Sequence, residues 1–250
     1  MRQSGNTLAM AQQSRPNLLL TRPDAQSQRF AGEGAARFGA MNIVISPLLV
    51  PRFLPATPTS GMASGMASGM DGVIFTSETG VAAALSAGVR AHGQPAYCVG
   101  ARTAAAAQLA GFDARDAQGD WQDVAALITR EGGQKSLAFL CAREAATHLQ
   151  ITLTVAGHNI ARIEVYSQET LPLNPQAQAL LAGARPVILP LFSPRSAQVF
   201  CAQAQPSAPI FLLGLSAAIT DAFTLPFARK AVAHRPNTAA LLDALAEVID

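Results

Sequence analysis

Charge is scarce in this chain. Asp, Glu, Lys and Arg make up 14% of its residues while apolar types make up 50%, against about 25% charged in an average globular domain. That balance excludes a disordered polyelectrolyte and calls for a packed core. The 18 basic and 16 acidic residues leave a net charge of +2. With no long basic tract, a nucleic-acid surface has no support and a small-molecule partner is expected. Cysteine is sparse and odd in number, Cys98, Cys141 and Cys201. Their wide spacing excludes a disulfide framework and suits reduced thiols in the cytoplasm. Long apolar runs are missing: the longest, Pro209 to Thr220, holds a Pro and a Gly and falls short of the ~20 residues of a membrane helix. No membrane span is predicted. The first residues, MRQSGNTLAMAQQSRPN, lack the apolar core of a secretory signal and read as a disordered leader over 1–16.

The common catalytic signatures are missing as well. There is no Gly-x-Gly-x-x-Gly after a strand, no Gly-x-x-x-x-Gly-Lys-Ser/Thr, no His-Glu-x-x-His and no Gly-x-Ser-x-Gly. Gly132-Gly133-Gln134-Lys135-Ser136 comes before an apolar run rather than after one, so it reads as a turn. His92, His148, His158 and His234 lie scattered without ligand spacing. No metal site is expected.

What is present is a repeating unit: a short apolar run, small or hydroxyl residues, then an Ala-rich amphipathic stretch. It starts at Leu18, Gly72, Ala96, Ser136, Pro186 and Pro209. Each unit reads as strand, tight turn and helix, and their alternation predicts an α/β protein with parallel sheets covered on both faces. Ser77 in FTSETGV answers Ser193 in FSPRSAQVF at an offset of 116, and Gly100 answers Gly214 at 114. Two similar doubly wound domains are implied. The β-branched runs Asn42–Val50 and Ile160–Ser167 interrupt the unit and are candidate interdomain strands. If they pair, residues 17–46 and 168–250 form one discontinuous domain and 50–165 the other, joined by a two-stranded linker. Ser60 to Met70 repeats Gly-Met-Ala-Ser and reads as a mobile loop. Ile151 to Val155 has strand propensity but sits where a helix has to fit.

In such sheets ligands bind outside the carboxyl ends of the strands, where helix N-termini offer free N–H groups to anions. Hydroxyls fall in these turns at Thr21, Thr76, Ser77, Thr79, Thr103, Ser193, Ser196 and Ser216, with Arg22, Arg102, Arg143 and Arg195 beside them. Together they suit carboxylates. The same hydroxyls are also what helix capping requires, and Arg outnumbers Lys 16 to 2 along the whole chain. Of the two tyrosines, Tyr97 lies in an apolar strand and reads as core. Tyr166 ends IARIEVYS, where a neutral phenol can donate a proton or anchor packing.

These segments, in order, resemble the uroporphyrinogen-III synthase family from Leu18 onward. The resemblance rests on Thr21-Arg22-Pro23, DGVIFTS with Gly80-Val81, YCVGARTAAAA with Gly111-Phe112, Val165-Tyr166, LPLFSPRSA and RPNTAALLDAL. It implies two α/β domains around a cleft, joined by a two-stranded ladder, one domain being built from both chain ends. It also implies an enzyme, free of cofactors, that cyclises the linear tetrapyrrole hydroxymethylbilane to uroporphyrinogen III; a monomer is expected on separate grounds, because the sequence shows no large unexplained apolar stripe. Water leaves, an azafulvene forms, and a spiro intermediate lets the last pyrrole invert, a task mainly of positioning. On the same resemblance Tyr166 is the general acid toward the leaving hydroxyl. Thr21, Arg22, Ser77, Thr103, Ser193, Ser196 and Ser216 are then candidates for the substrate carboxylates. Thr79 stands where many members have Asn, and Ala142 where many have Gly. A non-catalytic binding protein for an anionic small molecule, or an inactive family member, is the alternative reading.

Overall fold

The computed structural model describes residues 17–54 and 69–249. The expected leader and most of the Gly-Met-Ala-Ser loop lie outside the described residues. The chain divides into two compact units, unit 1 being Met1–Val50 with Thr170–Asp250, and unit 2 Pro51–Glu169.

Unit 1 holds β1 (Asn17–Leu20), α1 (Asp24–Phe38) and β2 (Asn42–Ile45) at the start of the chain. Unit 2 opens on β3 (Leu49–Phe53), within which the chain passes from unit 1, and continues through β4 (Gly72–Phe75), α2 (Glu78–Ser86), β5 (Pro95–Cys98), α3 (Ala101–Leu109), β6 (Asp113–Asp116), α4 (Trp121–Arg130), β7 (Ser136–Ala142), α5 (His148–Val155) and β8 (Asn159–Thr170). Unit 1 resumes with α6 (Pro175–Leu181), β9 (Val187–Leu191), α7 (Pro194–Gln203), β10 (Ile210–Gly214), α8 (Ala217–Asp221), β11 (Arg229–Val232) and α9 (Thr238–Ile249). The fold is α/β, and every predicted strand–turn–helix unit is present. Ile151 to Val155 is helical despite its composition: α5 buries Leu149 and Leu153 against Phe139 of β7, and packing overrides propensity.

Each sheet is covered on both faces because successive strand residues point opposite ways. In unit 1, Leu19, Leu189 and Leu212 pack with Leu181, Phe200 and Ile219 of α6, α7 and α8. Their neighbours Leu18, Leu20, Ile188 and Leu213 pack with Phe30 of α1 and Leu241 and Leu245 of α9. In unit 2, Val73, Phe75, Ala138 and Leu140 face α2 and α3, while Ile74, Leu137 and Phe139 face α4 and α5.

The unit 1 sheet runs β2-β1-β9-β10-β11 and the unit 2 sheet β3-β8-β7-β4-β5-β6. Ladders from β2 to β11 and from β8 to β6 are parallel. Setting β7 on β1, β8 on β2, and β4, β5, β6 on β9, β10, β11 superimposes the two orders, so the units are circular permutations of one doubly wound sheet. The repeat read from the sequence is therefore real but permuted. Its second pair also shifts: the residue equivalent to Gly100, the N-cap of α3, is Ser216, the N-cap of α8. Both cap pairs, Ser77 with Ser193 and Gly100 with Ser216, then lie 116 residues apart.

The run Asn42–Val50 is not one crossing strand. Pro47 has no N–H to give a ladder, and the chain divides there into β2, an edge strand of the unit 1 sheet, and β3. Ser46 and Leu48 N–H groups bond to Leu20 and Thr21 carbonyls on either side of the break (2.8 and 3.0 Å). The second passage lies in β8, at Glu169 and Thr170, and β8 neighbours β3. Gly132 and Gly133, both at φ +73°, make the turn before β7, a conformation that side chains oppose.

Candidate active site at the strand ends

Strand order reverses between β4 and β7 in unit 2 and between β1 and β9 in unit 1. At such switch points the turns diverge to opposite faces and leave room for a ligand.

In unit 2 the turn after β4 ends at Ser77. Its extended backbone caps α2, and its Oγ accepts the Gly80 N–H at 2.9 Å. The same oxygen lies 3.1 Å from the Tyr166 hydroxyl, either group being able to donate. Tyr166 reaches it through an irregularity in β8. Ladder partners run Leu140↔Ile163 and Cys141↔Glu164, then jump to Ala142↔Tyr166, leaving Val165 as the extra residue of a bulge. A bulge re-aims the side chain that follows it. Without it Tyr166 would share the face of Ile160, toward α4 and α5. With it Val165 and Tyr166 both pack with Phe75, Val81 and Ala142, on the side where Ser77 lies.

Only 6% of Tyr166 is exposed. Burial, more than any other influence, pushes its phenol above the usual tyrosine range; Cys141 and Glu144 act in the same direction, and the Ser77 hydrogen bond pulls the other way. The group is therefore a neutral proton donor at physiological pH. The turn after β7 is tied to the same strand. Arg143 N–H donates to the Tyr166 carbonyl (2.8 Å), and Glu144 accepts from the Gln168 N–H (3.0 Å). Thr103 lies in the first turn of α3 and is buried.

In unit 1 the equivalent serine is engaged differently. Ser193 and Ser196 form a reciprocal capping box on α7: Ser193 Oγ accepts the Ser196 N–H (3.1 Å), Ser196 Oγ accepts the Ser193 N–H (3.3 Å), and the two hydroxyls lie 3.0 Å apart. Arg22 places its guanidinium 4.2 Å from the centre of the Phe192 ring, which itself meets Phe30 edge-on at 5.5 Å. Thr21 is buried, and Ser216 is half-buried on α8 with no side-chain cap bond. The structure thus joins Ser77 with Tyr166, and Ser193 with Ser196. Thr21, Thr103 and Ser196 show almost no surface.

The roles of two residues here are not legible in the sequence. Gly80 occupies in unit 2 the position of Ser196, where a Cβ would lie 3.3 Å from the Leu140 carbonyl and 3.4 Å from Ser77 Oγ. Its missing side chain leaves Ser77 to Tyr166. Arg162 sends its guanidinium to the carbonyls of Ala142 and Arg143, and with Glu164 it is one of two charges in IARIEVYS. Among the described residues no group of three His, Cys, Asp or Glu is placed to hold a metal ion, and no helix is long and apolar enough to cross a membrane.

The chain is a doubly wound α/β protein in two permuted units, with hydroxyl-bearing helix caps at strand carboxyl ends. Residues 34–243 match the family profile described as uroporphyrinogen-III synthase HemD. The chain belongs to the uroporphyrinogen-III synthase family. Among solved structures it is similar to the uroporphyrinogen-III synthetase of Helicobacter pylori 26695, with 16% identity over 94% of this chain and 99% of that one and a TM-score of 0.59. It is also similar to a mutant uroporphyrinogen III synthase of Thermus thermophilus, with 14% identity over 93% and 98% and a TM-score of 0.57. Both likenesses concern the fold. No curated protein is matched.

Proposed function

We propose that this chain is a catalytically active, cytoplasmic and monomeric uroporphyrinogen-III synthase, converting hydroxymethylbilane to uroporphyrinogen III with loss of water and inversion of the last pyrrole. The observation that carries this reading is the family match over residues 34–243, a span that includes both partners of the Ser77–Tyr166 pair. In this reading Tyr166 gives its proton to the departing hydroxyl, and Ser77 holds the phenol in place while the α2 N-terminus favours negative charge nearby. Arg22, Ser193 and Ser216, each with surface left, bind carboxylates of the substrate at the unit 1 strand ends. Thr21, Thr103 and Ser196 are assigned to the same turns, and contact through them requires those turns to open. No cofactor and no nucleic acid enter the scheme.

The test is a coupled assay that generates hydroxymethylbilane in place and resolves the oxidised porphyrin isomers by chromatography. Type III product scaling with protein concentration is expected. Type I product alone, as in an enzyme-free control, would refute the reading.

A further inference from the structure

Arg162 lies in β8, four positions before Tyr166, on the opposite face of the strand. Only 17% of its side chain is exposed. One nitrogen, Nη2, donates to two successive carbonyls of the turn after β7, Ala142 at 3.1 Å and Arg143 at 2.9 Å. Nη1 is buried with no hydrogen-bond partner among the described residues, and Nε is 3.9 Å from Glu164, a weak ion pair. Burying a guanidinium so incompletely satisfied is unfavourable, so what the site gains from it lies in the two carbonyl bonds.

Those carbonyls adjoin the bulge. Ala142 is the ladder partner of Tyr166 across it, and the peptide N–H of Arg143 donates to the Tyr166 carbonyl. Arg143 also reaches Glu164 from its own side chain at 3.1 Å. The extra residue must be accommodated where β7 ends, because beyond it the ladder has no further rungs to hold register. Slipping by one residue would send Tyr166 to the other face of the sheet.

We infer that Arg162 is a positioning residue: by clamping the Ala142 and Arg143 carbonyls it fixes the Val165 bulge, and so the direction in which Tyr166 presents its hydroxyl to Ser77. Its effect on turnover rests on the synthase reading; its effect on Tyr166 does not. The guanidinium reaches both carbonyls through a single nitrogen.

The experiment follows ring-labelled tyrosine by carbon-13 NMR alongside the coupled assay. The chain has two tyrosines, and the Tyr166 signal is the one lost in Tyr166→Phe. In Arg162→Ala the signal should move and its titration fall toward the ordinary phenol value of about 10, as the ring gains solvent. Turnover should drop by about tenfold with KM within about twofold, the result of a misplaced rather than a missing acid. Arg162→Lys should restore part of both. An Arg162→Ala protein whose Tyr166 signal and titration match the wild type overturns the proposal whatever its turnover. Should that variant not fold, Arg162→Gln must show a smaller shift in the same direction, and an unmoved signal there overturns it equally. If the wild type forms no type III product, the synthase reading fails and the NMR result still decides the role of Arg162.

Discussion

Units 1 and 2 carry the same parallel sheet in permuted order, and each places a serine at the helix N-cap beside its switch point. Ser193 of unit 1 is closed into a capping box by Ser196. Ser77 of unit 2 caps through one N–H, meets a glycine where Ser196 would stand, and turns the rest of its hydrogen-bonding capacity to Tyr166. On unit 1 the strand equivalent to β8 is β2, which is followed by the buried Leu48 and offers no phenol. One scaffold thus closes the same serine into a capping box in one copy and turns it to a buried phenol in the other. The difference comes from one side chain three residues along the helix and one extra residue in the neighbouring strand.

The comparison can be broken most sharply at the phenol. Tyr166→Phe keeps the ring and its packing, so turnover should fall by about 100-fold with KM within about twofold; steady-state analysis of the coupled assay reads the split. Gly80→Ser would build the unit 1 capping box into unit 2. Competition for Ser77 should lower turnover by about tenfold, in keeping with the displacement of a positioned group. The mirror change, Ser196→Gly, opens the unit 1 box and should instead lower stability by about 1 kcal/mol, read by denaturant unfolding, with a smaller effect on turnover than Gly80→Ser. Equal losses of turnover from the two changes would erase the proposed division of labour.

A subtler contrast lies in the titratable core. Both tyrosines and two of the three cysteines belong to unit 2. Burial pushes the Cys98 thiol up to about 12 and the Cys141 thiol up to about 11, from 9.0, and it raises Tyr97 and Tyr166 as well. Because each folded pKa exceeds its unfolded value, the stabilisation is complete below pH 9 and declines as pH climbs through 11 to 12. Hydrogen exchange in alkaline buffer should therefore show unit 2 losing protection before unit 1, and the reverse order would contradict the assignment. At pH about 8 a thiol reagent should label the half-buried Cys201 and spare the two buried thiols; mass spectrometry of the native protein identifies the labelled site.

Much of this was legible in the sequence because it is local. Apolar runs followed by hydroxyls and Ala-rich stretches gave the inner strands and their helices, and the turn serines stood out as caps. Strands β6 and β11 were not legible: DARD and RKAV are edge strands whose charges mask them. The permuted repeat runs forward from β4, β5 and β6 to β9, β10 and β11, whereas the equivalents of β7 and β8, namely β1 and β2, come earlier in the chain, so no single forward offset covers all five pairs. Tyr166 and Ser77 were each visible, but their meeting was not, since it depends on register with β7 and on a bulge that no single strand encodes. Gly80 acts through an absent side chain, and Arg162 through carbonyls that carry no sequence signal.

The account stands on Ser77 and Tyr166 acting as one unit, and a double-mutant cycle on turnover tests it directly. Ser77→Ala, Tyr166→Phe and the double variant are compared in the coupled assay, each checked for folding. The account predicts that the double variant is no slower than Tyr166→Phe alone to within about twofold, because groups that act together are lost together. Losses that multiply would mean that the two hydroxyls act independently and that their 3.1 Å contact plays no part in the chemistry.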